Sequence, residues 1–283
     1  MIKIFPFIFI LLWSSAFVTT KPIIDNSDPF SALAFRFFLV ALGFLIFSFF
    51  TKQKIIFPKK NIIESLLSGV LFHGFYLGGV FFAISKGMPT GITALIVSLQ
   101  PILTNALAGP FLNEKITWKQ WTGVILGFIG AALVLGFDIG ENIPFIGLIA
   151  SFIALIAITT STLWQKKLSY NMPLSVSNMY QAFGGCLFHV VIILLFVEPY
   201  INFTTTFIIA MSHQILLVSF GAFTILMFLI KHNSASKTVS IFFLIPATSA
   251  FIAWIFLNET LTNLDILGFI IASAGVFIAT RKN

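Results

Sequence analysis

Long apolar runs follow one another along almost the whole chain, separated by short polar segments. Nine runs contain no Asp, Glu, Lys or Arg, and a tenth, residues 29–51, is interrupted only by Arg36. The uncharged runs cover residues 4–20, 65–85, 87–113, 120–137, 142–165, 168–197, 199–230, 238–258 and 266–280. Because about 20 apolar residues cross a bilayer as one helix, the pattern predicts an all-α integral membrane protein with ten transmembrane helices.

The polar segments bound the ten predicted helices, and none is long enough to form an extramembrane domain. The helices cover residues 4–20, 30–50, 62–85, 89–112, 118–137, 143–165, 175–197, 207–230, 237–257 and 262–280. The first of them also has features of a secretory signal, with Lys3 ahead of an apolar stretch. No A-x-A-type cleavage site follows it, so we expect a membrane helix here.

Composition agrees with a membrane protein, and the charges orient it. Only 9% of the residues are charged, against about 25% in a soluble domain. Thirteen Lys and Arg residues lie in the segments on the side of the N-terminus, whereas only Lys21 and Lys86 lie on the other side. Basic residues favour the cytoplasmic side, which predicts a bacterial inner membrane protein with both termini cytoplasmic. The net charge of +7 reflects this bias, and no nucleic-acid partner is expected.

A seven-residue segment occurs twice in the chain. Residues 111–117 read FLNEKIT, and residues 256–262, 145 positions later, read FLNETLT. The same offset aligns three further pairs: Pro101 with Pro246, Gly123 with Gly268 and Gly130 with Gly275. We therefore predict two repeats of five helices, residues 1–138 and 139–283. Since five is odd, the second repeat would be inverted in the membrane, as in carriers that rock around a central site.

The repeated segment is typical of a helix start. Thr117 and Thr262 each precede an apolar run and are followed, three residues later, by an amide or carboxylate side chain, as in a capping box. Glu114 and Glu259 stand upstream, where a carboxylate stabilises a helix N-terminus. We predict structural roles for these four residues; direct contact with a substrate is the alternative.

Pro101 and Pro246 lie in the middle of the fourth predicted helix of each repeat. An interior proline removes one backbone hydrogen bond and kinks the helix. The matched positions predict bends that open and close a central cavity. Packing kinks without motion are the alternative.

Several motifs together resemble the EamA-type transporters of the drug/metabolite transporter superfamily. They are residues 13–17 (WSSAF), residues 34–37 (AFRF), and the series Pro101, Asn113, Glu114, Thr117 and Gly123 with its second copy. The resemblance covers the whole chain, although Ser14 stands where the family often has glycine. It implies a basket of helices one to four of each repeat around a central cavity, with the fifth helices at the periphery. Family members carry amino acids, other metabolites and drugs, and the resemblance favours export.

Arg36 is the only ionised residue well inside a predicted helix. A charge at membrane depth is costly and marks a functional site by default, here a contact with a substrate carboxylate. Snorkelling to the interface or pairing within the protein is the alternative. The other candidate substrate-binding residues are polar or aromatic side chains of the predicted helices: Trp13, Ser14, Phe17, Tyr76, Ser98, Asn105, Trp164 and Tyr180. Apolar cavities with a few convergent polar groups bind small molecules, but helix packing would also explain each of these side chains.

His73 and His189 fall within predicted helices and could transfer protons, with neutral packing as the alternative. No Asp or Glu lies deep in a predicted helix, which disfavours coupling to protons through a carboxylate. Histidine-based coupling, another ion and no coupling stay open. The single cysteine, Cys186, excludes an internal disulfide, and we expect neither a cofactor nor a metal.

The sequence therefore predicts a secondary transporter that moves a small organic metabolite across the inner membrane by alternating access. An amino acid or related compound is the leading substrate class, because Arg36 with aromatic neighbours suits one. A drug or lipophilic-cation exporter is the second hypothesis, and a non-transporting membrane adaptor or receptor is the third. An integral membrane enzyme is disfavoured, because no pair of metal ligands such as H-E-x-x-H occurs. We expect a monomer or homodimer in the lipid bilayer.

Overall fold

The computed structural model describes residues 4–88, 90–135, 143–168, 172–257 and 262–281. These residues form helices and no β-sheet; Ser27 and Ile201 make one isolated antiparallel bridge. The first half contains α1 (Phe5–Ile24), α2 (Pro29–Phe50), α3 (Lys59–Gly69), α4 (Gly78–Ser85), α5 (Thr90–Val97), α6 (Gln100–Leu112) and α7 (Trp118–Leu135). The second half contains α8 (Phe145–Leu168), α9 (Leu174–Phe196), α10 (Thr205–His213), α11 (Phe223–His232), α12 (Ala235–Ser240), α13 (Leu244–Leu257) and α14 (Asn263–Thr280).

Every predicted span overlaps helix in the described residues, with its ends shifted by a few positions. Among the described residues, seven helical stretches are long and apolar enough to cross a membrane: Pro29–Phe50, Lys59–Ser85, Ile92–Leu112, Phe145–Leu168, Leu174–Phe196, Thr205–His232 and Asn263–Thr280. Phe5–Ala16 is a shorter apolar helix. The prediction of a helical, multi-pass membrane protein is confirmed. The full count of ten crossings stays a prediction.

The outer surface of the helices is strongly apolar. Phe50 is 77% exposed on α2, and Leu194 and Phe196 are 78% and 76% exposed on α9. A soluble monomer does not expose large apolar side chains in such numbers. These faces are therefore the lipid-facing surface, and it surrounds a core in which Phe9, Phe37, Phe72 and Phe243 are fully buried.

Two matched π-helical segments interrupt the α-helices. Val70–Leu77 joins α3 to α4, and Gln214–Ala222 joins α10 to α11. They begin 144 positions apart in the chain, almost the offset of the sequence repeat. π-helical turns are rare and occur frequently at functional sites, and both segments contribute side chains to the cavity described below.

The two prolines aligned by the repeat coincide with local interruptions of the regular α-helical hydrogen bonding. A turn at residues 98–99 separates α5 from α6, and Pro101 occupies the first turn of α6. In the second half the 3₁₀ segment Ile241–Phe243 separates α12 from α13, whose first turn contains Pro246. Proline fits the first turn of a helix because its missing N–H is not needed there. The two interruptions lie next to the prolines, where the expected kinks fall; that they open and close a cavity stays a prediction.

Helices α7 and α14, the last of each half, pack directly against each other through small residues. A Cβ placed on Gly123 would lie 2.6 Å from the carbonyl oxygen of Gly275, and one placed on Gly130 would lie 2.6 Å from that of Gly268. Only glycine allows backbones to approach this closely. The contacts run in opposite order along the two helices, so α7 and α14 are antiparallel.

Candidate functional site

Arg36 is buried in the middle of the helix bundle. It lies on α2, is 4% exposed, and donates a hydrogen bond from Nε to Ser219 Oγ at 3.0 Å. Its Cζ lies 5.2 Å from the centroid of the Phe37 ring. Among the described residues no carboxylate lies within ion-pair distance of the guanidinium. This rules out pairing with a described acid and leaves a buried cation whose remaining N–H groups are free for a ligand.

Arg36 lines a cavity that we name the Arg36 compartment. It is bounded by residues of α1, α2, α4 and the two π-helical segments, and its internal volume is about 50 Å³. Its polar lining residues besides Arg36 include Thr20, Tyr76 and Gln214. Small-molecule sites have a similar lining, mostly apolar with a few polar groups.

A second space, the Pro246 compartment, adjoins the first. Its internal volume is also about 50 Å³, and Trp13, Tyr76, Val80 and Ile84 line both compartments. Its other lining residues come from α5, the break after α5, the 3₁₀ segment Ile241–Phe243 and the start of α13: Thr93, Ala94, Val97, Ser98, Phe242, Ile245 and Pro246. Both halves of the chain thus supply walls, and the helix breaks at residues 98–99 and 241–243 face this space.

Trp13 stands at the junction of the two compartments within an aromatic cluster. Its ring lies 5.3 Å from that of Phe9, 6.1 Å from that of Phe72 and 5.9 Å from that of Phe242, between centroids. These distances are those of favourable aromatic pairs. The cluster fixes the indole by packing, so the position of Trp13 in the cavity wall is well defined.

Sequence reasoning missed two residues of the site: Gln214, which lines the Arg36 compartment, and Ser219, which bonds to Arg36. Gln214 is 1% exposed and donates from Nε2 to the Ala16 carbonyl oxygen at 3.0 Å and to Thr19 Oγ1 at 2.9 Å. Ser219 accepts the hydrogen bond from Arg36. Both lie in the second π-helical segment, and polar residues inside an apolar span were the only sequence signal that could have identified them.

The remaining predicted binding residues lie around the cavity or away from it. Ser14 is buried and donates to the Ile245 carbonyl oxygen at 3.2 Å, which joins α1 to α13. Asn105 accepts a hydrogen bond from Ser236 Oγ. Tyr180 donates to the Ile55 carbonyl oxygen at 3.2 Å and lines a lateral apolar groove, and Trp164 on α8 lines neither compartment. The Phe17 side chain lies outside what the structure describes.

The repeated segment caps helices, partly as expected. Thr262 forms a capping box with Asp265 at the start of α14. At the start of α7, Thr117 Oγ1 accepts a hydrogen bond from the backbone N–H of Gln120. In return, Gln120 Oε1 accepts a hydrogen bond from the backbone N–H of Thr117. Glu114 instead accepts from the backbone N–H groups of Ala235 and Ser236, at 2.8 and 3.4 Å, and therefore caps α12 of the other half. Glu259 lies outside the described residues.

The two mid-helix histidines pack beside the cavity, and neither lines a compartment. Nε2 of His189 donates to the carbonyl oxygen of His73 at 3.0 Å. The His73 ring lies 4.3 Å from that of Phe37 and 4.6 Å from that of Phe223. This arrangement matches the packing alternative, and the Nδ1 atom of each ring has no partner among the described residues.

Fold and cavity together describe a multi-pass membrane protein with an internal cavity. The chain belongs to the EamA-like transporter family, whose model matches residues 2–136 and 145–281. This match confirms the resemblance seen in the sequence, and the protein is therefore a membrane transporter.

Individual relatives are distant but span almost the whole chain. The uncharacterized transporter YoaV of Bacillus subtilis (strain 168) is 23% identical over 278 residues, covering 95% of this chain and 93% of that protein. A probable amino-acid metabolite efflux pump of Salmonella typhimurium is 24% identical over 280 residues, covering 95% and 91%. A solved crystal structure matches with a TM-score of 0.83 at 15% identity, over 99% of this chain and 97% of that one. That structural likeness concerns the fold alone.

Proposed function

We propose that this protein is a secondary transporter that exports an amino acid or a related carboxylate metabolite across the bacterial inner membrane. It works by alternating access, with both termini in the cytoplasm and ten membrane-crossing helices. Relatives named amino-acid metabolite efflux pumps in Salmonella typhimurium and Escherichia coli support the substrate class and the direction.

The observation that carries the proposal is a buried guanidinium in the wall of an internal cavity, without an acidic partner among the described residues. Nε of Arg36 is engaged by Ser219, and no described residue hydrogen-bonds the other guanidinium N–H groups. Two parallel N–H donors match the two oxygens of a carboxylate. Because a buried charge needs a counterion, a substrate carboxylate stabilises Arg36 while Arg36 holds the substrate.

An amino group on the substrate would meet aromatic rings rather than an acid. No Asp or Glu is found among the described residues that line either compartment. The faces of Trp13 and Tyr76 attract a cation through their π electrons. A zwitterion therefore fits the cavity, with its carboxylate towards Arg36 and its ammonium near the rings.

Internal symmetry supports the alternating-access part of the proposal. The repeat makes Gly123 equivalent to Gly268 and Gly130 equivalent to Gly275. In the antiparallel contact of α7 with α14, Gly123 meets Gly275 and Gly130 meets Gly268, and a two-fold axis perpendicular to both helices exchanges these two contacts. Such an axis lies in the membrane plane and describes inverted repeats. Two inverted halves around one cavity can exchange an inward-open for an outward-open state by rocking.

Export of a drug or lipophilic cation is the second candidate, favoured only by the aromatic cluster around Trp13. The buried charge of Arg36 counts against it, because a cation in the Arg36 compartment would be repelled. Coupling to protons or another ion is compatible with the proposal, and so are a monomer and a homodimer.

Counterflow in proteoliposomes tests the proposal. Purified protein is reconstituted with a panel of amino acids, organic acids and lipophilic cations, with and without a proton gradient. We expect counterflow of at least one carboxylate compound, its loss in Arg36→Gln and partial retention in Arg36→Lys. Transport of cations alone, unchanged by Arg36→Gln, would refute the carboxylate role. No flux of any compound by a monodisperse protein would favour the adaptor or receptor alternative.

A further inference from the structure

The two compartments differ in chemistry, and the difference constrains the shape of the substrate. The Arg36 compartment combines the cation with the polar side chains of Thr20 and Gln214. The Pro246 compartment has no charged lining residue, and its two polar side chains besides Tyr76 and Trp13 are Thr93 and Ser98. The rest of its lining is apolar: Val80, Ile84, Ala94, Val97, Phe242, Ile245 and Pro246. A ligand that occupies both compartments needs an anionic end and an apolar end.

The single cation limits the charge of that ligand. Arg36 is the only Lys or Arg among the described residues that line either compartment. A dianion would leave one negative charge without a partner in a buried space, which is unfavourable. The cavity therefore matches one carboxylate better than two, and better than a phosphate group.

Helix α5 forms the wall at the apolar end. Ala94 and Val97 are three residues apart, so their side chains lie on the same face of α5, and both line the Pro246 compartment. α5 ends at Val97, directly before the turn that precedes Pro101. The volume left at this end is thus determined by two small or medium-sized side chains on a short helix.

We infer that the substrate carries one carboxylate and an apolar side chain, and that Ala94 and Val97 set the upper size of that side chain. The inference rests on the proposed function, because it assigns the apolar end of the same transport site. One methylene group in a hydrophobic pocket changes selectivity by roughly 10- to 200-fold, so single substitutions at these positions have measurable effects.

The experiment measures counterflow of labelled leucine in the presence of unlabelled competitors. Alanine, valine, leucine and phenylalanine form a series of increasing side-chain size. The matching 2-oxo acids, glutamate, malate and tetraphenylphosphonium are tested in the same way. We expect Val97→Phe to weaken competition by phenylalanine relative to alanine by roughly tenfold or more, and Val97→Ala to shift the preference towards the larger side chains. Val191→Phe is the matched control on the lipid-facing side of α9, where Val191 is 51% exposed, and it should leave the series unchanged.

The outcomes separate this inference from the proposed function. No carboxylate transport by the wild-type protein refutes the proposed function itself. Leucine transport with an unchanged size order in both Val97 variants refutes the assignment of the apolar end and leaves the function intact. Competition by glutamate or malate equal to that by leucine refutes the single-charge inference. If Val97→Phe does not elute as a monodisperse protein, Val97→Ala and Ala94→Val decide the size order alone.

Discussion

The carboxylate of Glu114 accepts a hydrogen bond from the backbone N–H of Ala235 at 2.8 Å, across 121 positions of the chain. It thereby links the end of α6 in the first half to the start of α12 in the second. Ser236, the next residue of α12, also accepts a hydrogen bond from Gln120 Nε2 at 3.3 Å. The repeated FLNE segment is therefore a contact between the halves as well as a mark of their duplication.

Removing the Glu114 carboxylate should lower stability, because the first N–H groups of α12 lose their acceptor. We expect Glu114→Ala to cost about 1 kcal/mol, the usual effect of losing a helix cap, and Glu114→Gln to cost less. Thermal unfolding in detergent measures both. Glu198→Gln, an exposed carboxylate outside the helices, is the control; equal melting temperatures for Glu114→Ala and the control would contradict the capping role.

Ser219 positions Arg36, so its loss should weaken substrate binding. A hydrogen bond to a charged group contributes about 1.5–3 kcal/mol, and we expect Ser219→Ala to raise the transport KM by roughly tenfold or more at an unchanged maximal rate. The matched control is Ser151→Ala, a buried serine on α8 whose hydroxyl bonds only to the Gly147 carbonyl oxygen. A fall in maximal rate at constant KM would argue against a positioning role.

The glycine contact of α7 with α14 should not tolerate a methyl group. A Cβ on Gly130 would lie 2.3 Å from the backbone nitrogen of Ala272, so we expect Gly130→Ala to destabilise the protein by at least about 1–3 kcal/mol. Gly109 on α6 has only one neighbour within 4 Å of such a Cβ, at 3.7 Å. Gly109→Ala is therefore the control that should leave the melting temperature unchanged or slightly raised. A Gly130→Ala variant as stable as Gly109→Ala would show that α7 and α14 can move apart to accept the methyl group.

The proposed orientation predicts which loops a membrane-impermeant reagent reaches. Cys186 is the only cysteine, so Cys186→Ser gives a background without thiols. In that background Lys86→Cys should react with an impermeant maleimide in intact cells, whereas Lys54→Cys should react only after permeabilisation. Labelling in the reverse pattern would invert the proposed topology.

The local features of the chain were readable from sequence because they depend on near neighbours. The apolar runs specify helices, since a membrane leaves the backbone no other partner for its hydrogen bonds. The capping boxes at Thr117 and Thr262 follow from side chains three residues apart. The 145-residue offset likewise revealed the aligned prolines, and both lie next to an interruption of the α-helix, at residues 98–99 and at Ile241–Phe243.

The tertiary structure alone decided which of these features meet. Sequence reasoning singled out Arg36, yet its partner Ser219 stands 183 positions away in a π-helical segment that no periodicity predicts. Trp13 and Tyr76 were predicted binding residues alongside Asn105 and Tyr180, but of these four only the first two line the cavity. Which side chains reach a cavity depends on how the helices pack against one another and not on the composition of any one helix. The sequence by itself determined a duplicated helical membrane protein with one charge at membrane depth. Packing between the halves determined the cavity, since its walls come from residues that are remote in the chain and adjacent only after folding.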